Sequence, residues 1–141
     1  MKFLALRNVT LVILLTVTGA GVAHAEPHGL WLAQDGARVR VSACGKALCG
    51  TIASPKSAVD PATGQPWTDK HNRDPAKRGR PLVGVQVFVM MPDGQGKWSG
   101  SLYNTDDGNT YQGHLLETDH NTIRVEGCAG LCGGQNMQRV E

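Results

Sequence analysis

Catalytic signatures are what this 141-residue chain most visibly lacks. No serine sits in a G-x-S-x-G turn, which excludes a nucleophile elbow. Neither cysteine pair has the C-x-x-C spacing of thiol oxidoreductases. The histidines downstream of the N-terminal segment, His28, His71, His114 and His120, form no H-x-x-x-H pair and no metalloprotease motif. They read as surface or turn residues, with His114 facing outward on its strand, and no metal site is expected. Asp69, Asn72 and Asp74 lack the ligand ladder and closing glutamate of an EF-hand. Their expected role is to accept backbone amides and cap a short helix. Carboxylates such as Asp106 and Asp107 fall in turns. The chain is not expected to be an enzyme or to carry a cofactor.

Long apolar runs are also missing. The longest, Leu11 to Val17, falls short of the roughly 18 residues a spanning helix needs even when extended to Ala23. With Lys2 and Arg7 before it and Ala23-His24-Ala25 after it, the segment has the charged, apolar, A-x-A order of a secretory signal. Cleavage is expected after Ala25, which makes residues 1–25 a signal peptide and residues 26–141 one domain with one modest core. Residue 26 is Glu rather than Cys, so no lipid anchor is expected. The formal charge of +2 belongs to the signal: without Lys2 and Arg7, 12 basic residues face 12 acidic ones. Net charge therefore points to no nucleic-acid partner and no acidic membrane surface. The expected compartment is the periplasm or the secreted space.

Helical periodicity is absent too, and alternation of apolar and polar residues takes its place. It predicts strands near residues 29–34, 37–44, 48–54, 83–91, 97–104, 109–116, 121–127 and 135–140. Short connections rich in turn residues join most of them, which favours neighbouring antiparallel hairpins. One inner face collects Val39, Val41, Val85, Val87, Val89, Trp98, Leu102, Tyr111, Leu115, Ile123 and Val125. Arg38, Arg40, Lys97, Arg124 and Glu126 face out. An eight-stranded antiparallel up-and-down meander with one apolar face removes its exposed edges by closing into a barrel. A two-sheet sandwich is the alternative. The rhythm breaks over residues 55–82, where Pro55, Pro61, Pro66, Pro75 and Pro81 surround a short helical candidate from Asp74 to Arg78. A connection this long is usually functional or mobile, and it is expected to lie across one barrel end.

Cys44 and Cys49 flank one glycine-containing turn, and Cys128 and Cys132 flank another. Opposed hairpin positions place Cα atoms within disulfide reach, so local pairing in each hairpin is expected. A four-cysteine zinc site is the alternative, opposed by the oxidising compartment and by the loose spacing.

Gly29-Leu30-Trp31 on the first strand resembles the G-x-W signature of lipocalins, and Arg139 stands on the last strand where that superfamily places an arginine against the tryptophan. In a closed barrel those strands meet, so a guanidinium can stack on the indole. More specific runs are Cys44-Gly45-Lys46-Ala47-Leu48-Cys49-Gly50, Asp69 to Asn72 with Asp74-Pro75, and Arg80-Pro81-Leu82-Val83-Gly84. With them go Trp98 with Gly100, Tyr103 with Asp107-Gly108 and Tyr111, and Gly127-Cys128 through Cys132. Over nearly the whole of residues 26–141 the chain resembles the bacterial family called domain of unknown function 2147. That resemblance implies an exported, lipocalin-like barrel and no defined activity. One departure is Met137, where the family usually has an aromatic residue.

Two functions compete. The first is a carrier of a small apolar or amphipathic ligand inside the barrel, bound without turnover. Val85, Val87, Leu102 and Tyr111 would line the site. Lys70, Arg73, Arg78 and Arg80, with Lys77, form the one concentrated charge and would pair with an anionic head at the mouth. The second is a protein-binding module for an envelope partner, acting through loops and outer surface.

Overall fold

The computed structural model describes Gly19 and residues 26–141; the rest of the expected signal segment lies outside the described residues. Eight strands appear in chain order: β1 (Gly29–Leu32), β2 (Arg38–Cys44), β3 (Ala47–Ser54), β4 (Gln86–Pro92), β5 (Lys97–Asn104), β6 (Asn109–Asp119), β7 (Thr122–Ala129) and β8 (Leu131–Arg139). Each pairs antiparallel with its sequence neighbour, and β1 pairs with β8, so the sheet closes as an up-and-down barrel and the sandwich is excluded. Among the described residues, closure leaves no edge strand to pair with another chain.

Two strands begin more than one residue from where the alternation predicts. β4 starts at Gln86 rather than residue 83, because Gly84 turns the chain with φ 89° and leaves Val83 exposed. β8 starts at Leu131 rather than residue 135, since the Cys128–Cys132 hairpin continues the ladder to its tip. The assignment of Val89 to the inner face is also corrected. Gly50 pairs with Phe88 while Thr51 pairs with Gln86, so Val87 is a bulge without an opposite residue. One extra residue reverses the alternation after it. Phe88 and Met90 therefore enter the core, and Val89 stands beside Cys49 on the other face.

The up-and-down order puts the β1–β2, β3–β4, β5–β6 and β7–β8 connections at one end. The termini and the other three turns lie at the opposite end. That second end is plugged by Trp31, Val41, Leu48, Met90, Trp98, Leu115 and Ile123, all in one buried cluster. Arg139 closes the seam: its guanidinium carbon stands 4.3 Å from the Trp31 ring centroid, and its Nε donates to the His120 carbonyl at 2.8 Å. The Trp31 indole donates to the Pro27 carbonyl at 2.9 Å, which satisfies its buried polar atom. Met137 is buried in the same cluster.

Both local disulfides are present, Cys44–Cys49 at the plugged end and Cys128–Cys132 at the other. Within the long connection, Pro75–Lys77 form a single 3-10 turn capped by Asp74, whose Oδ1 accepts from the Ala76 amide at 3.0 Å. Asn72 likewise accepts from the Asp74 amide.

Candidate functional site

Plugging one end leaves the other open. A cavity of about 450 Å³ sits there, inside the roughly 300–1,000 Å³ range of small-molecule sites. Its wall is apolar and comes from successive strands: Val39, Ile52, Val87, Phe88, Leu102, Val125 and Met137. Gly127, Gly133 and Gly134 line it as well, and the missing side chains of Gly127 and Gly133 leave space unfilled, whereas a Cβ on Gly134 would meet the Val125 carbonyl of β7. Its rim comes from three hairpin ends: Ala33, Asp35 and Ala37 from β1–β2, Asn104 to Asp106 from β5–β6, and Ala129 with Leu131 from β7–β8. Leu131 is 89% exposed, an apolar side chain held at the mouth by a hairpin that a disulfide staples.

Tyr103 and Tyr111 complete the lining, and both hydroxyls donate to carboxylates: Tyr103 to Asp69 Oδ1 at 2.6 Å, Tyr111 to Asp107 Oδ2 at 2.5 Å. Asp69 is fully buried. Burial, the largest influence, pushes its carboxyl up, yet hydrogen bonds from Tyr103, Asn72 and Arg80 and the charge of Arg80 together hold it below its ordinary value. Burial, then the bond to Asp69, raises the Tyr103 phenol to about 12. Asp107 is lowered by the Tyr111 bond first and by the Asn109 amide next. Asp69 thus accepts from side chains and not, as the sequence suggests, from backbone amides.

Val87, Leu102 and Tyr111 line the cavity. Val85 does not: it packs with Ile52 and Leu82 in a second small cluster against Trp67 and Tyr103. The cationic residues are not at the mouth either, which corrects their expected position. Lys70 Nζ lies 2.5 Å from Asp60 Oδ2, Arg73 Nε donates to Asn109 Oδ1, Arg78 Nε donates to the Asn72 carbonyl, and Arg80 Nη2 lies 2.8 Å from Asp69 Oδ2. Arg73, Lys77 and Arg80 line a separate cleft with Gln86 and Thr110. The physical reason is the buried Asp69 carboxylate, which demands a charged partner and draws the connection inward around it. A Cβ at Gly108 would collide with the His71 carbonyl, so the connection docks on the β5–β6 turn through that glycine. Residues 55–82 therefore share the open end but line none of the cavity.

Phe88, Ile52, Met137, Asp35, Asp106 and Leu131 belong to the lining and are missed from the sequence. The shared end of the odd-to-even hairpins is the signal that would have collected the last three. Among the described residues, no group of three His, Cys, Asp or Glu side chains could hold a metal. None of their helices is long and apolar enough to cross a membrane.

A closed eight-stranded meander, plugged at one end by a tryptophan–arginine pair and hollow at the other, defines a lipocalin-like barrel. The chain belongs to the family described as uncharacterized protein conserved in bacteria (DUF2147), whose model matches residues 29–139. It is similar in structure to HP1028 of the human pathogen Helicobacter pylori, a protein of the lipocalin family. The TM-score is 0.70 at 18% identity, covering 84% of this chain and 85% of that one. No curated protein matches the chain.

Proposed function

We propose that the protein is an exported carrier that binds a small apolar or amphipathic molecule in the open end of its barrel, without turnover. The observation that carries this reading is the cavity of about 450 Å³, apolar in its depth and polar at its rim, in a barrel whose other half is solidly packed. A chain with only structural duties would gain by filling that space, since voids forfeit packing energy. Two disulfides support an oxidising destination. The similarity to HP1028 supports the fold of a carrier.

The test is titration of the 26–141 chain with a neutral fluorescent apolar probe, N-phenyl-1-naphthylamine, together with native mass spectrometry of protein taken from its own envelope. Saturable binding is expected, and Ala37→Phe, which adds volume at a lining position, should weaken it. If nothing co-purifies and the probe does not bind, the carrier reading fails and a protein partner for the outer surface takes its place.

A further inference from the structure

We infer that the ligand carries a cationic head, an ammonium or similar group on an apolar tail. This rests on the carrier reading and specifies its ligand. The lining of the cavity contains two carboxylates, Asp35 and Asp106, and no lysine, arginine or histidine. The nearest opposing charge in contact with them is Lys56, whose Nζ stands 4.0 Å from Asp106 Oδ1 and also lies 5.0 Å from the Trp67 ring centroid, in the neighbouring groove. Asp106 remains 78% exposed beside it. Lys70, Arg80, Arg78 and Arg73 of the long connection are committed to Asp60, Asp69, Asn72 and Asn109.

The Tyr103 hydroxyl donates to Asp69, in the long connection outside the cavity, and the Tyr111 hydroxyl donates to Asp107, so neither phenol proton is free for an anionic head. Their rings supply aromatic faces, which attract ammonium groups. The remaining rim groups are neutral: the Thr105 hydroxyl and the amides of Asn104 and Gln135, whose oxygens accept from the Asp106 and Gln34 backbone amides. An anionic head would meet two like charges and no charged donor. A cationic head would meet two carboxylates, the Tyr111 ring and an apolar throat behind them.

The experiment compares three probes of equal tail length, decyltrimethylammonium, decanol and decanoate, each below its micelle concentration, by calorimetric titration of the 26–141 chain at pH 8. The expected order is cation, then alcohol, then carboxylate, with the cation about fivefold tighter than the alcohol at low salt, the scale of one or two exposed charge pairs. Added salt should shrink that ratio. In the variant carrying both Asp35→Asn and Asp106→Asn the ratio should fall toward one; each single variant should lower it partway, should the pair impair folding. Equal binding of all three probes, or tighter binding of decanoate, overturns the cationic inference while leaving the carrier intact. Binding of none overturns both.

Discussion

The guanidinium of Arg139 lies over the Trp31 indole, 4.3 Å from its centroid, and the two residues are also direct partners in the β1–β8 ladder. Only four residues of β1 complete the barrel, and two of them pair with β8, so this stack holds the shortest seam of the sheet. Arg139 also donates to the carbonyls of His28 and His120. Arg139→Ala should therefore cost about 0.5–2 kcal/mol for the stack, plus about 1 kcal/mol for each carbonyl bond lost. Arg139→Lys should recover less than half of that, because a lysine lacks the planar fork. Urea unfolding of both variants measures it; a loss below 0.5 kcal/mol in the alanine variant, about the floor for the stack, would refute the seam's importance.

Asp69 and Tyr103 predict loss of stability at both pH extremes. Asp69 is depressed in the fold, so its contribution is complete above the ordinary carboxylate value of 3.8 and disappears as pH falls through the lower folded value. Tyr103 is raised from 10.0 to about 12, so its contribution is complete below 10.0 and disappears as pH rises through about 12. Tyr103→Phe leaves a buried carboxylate oxygen without its donor and should cost about 1–3 kcal/mol at neutral pH. It should also abolish the alkaline transition. Phenolate absorbance checks the point directly: if Tyr103 does not ionise as late as about 12, the network is not formed.

Mass spectrometry reads the processing and the bridges together. The exported protein should begin at Glu26 and weigh four hydrogens less than its reduced chain, with non-reducing peptides joining Cys44 to Cys49 and Cys128 to Cys132. Because each loop is short, each bridge should contribute only about 2 kcal/mol, and the reduced protein should remain folded but less stable. Retention of residues 1–25, free thiols or bound zinc would contradict this.

Gly100 and Gly133 separate packing from composition. A Cβ on Gly100 would collide with the Val89 carbonyl on the adjacent strand, whereas one on Gly133 would meet nothing within 4 Å. Gly100→Ala should cost about 1–3 kcal/mol through displaced backbone. Gly133→Ala should stay within about 0.5 kcal/mol. Similar thermal midpoints for the two variants would show that the β4–β5 approach is looser than it stands here.

The sequence by itself determined the class of fold, because alternation with period two and turn residues between strands act locally. Eight strands and two hairpin disulfides follow from such signals and from the need to bury one face and hide two edges, while the Trp31–Arg139 pairing was legible through the resemblance of Gly29-Leu30-Trp31 to the lipocalin signature. What the alternation could not carry was phase across an irregularity. The bulge at Val87 turns Val89 out and brings Phe88 and Met90 in, and its cause lies in pairing with β3, more than thirty residues away. The position of the basic connection was likewise decided only in three dimensions. Lys70, Arg73, Arg78 and Arg80 resemble an anion site when read as a run of charge, but a buried Asp69 and a nearby Asp60 claim two of them, and backbone and amide oxygens the others. The open end was decided the same way. Large residues plug one half while glycines line the other, so the cavity and its acidic rim exist only where strands distant in sequence converge.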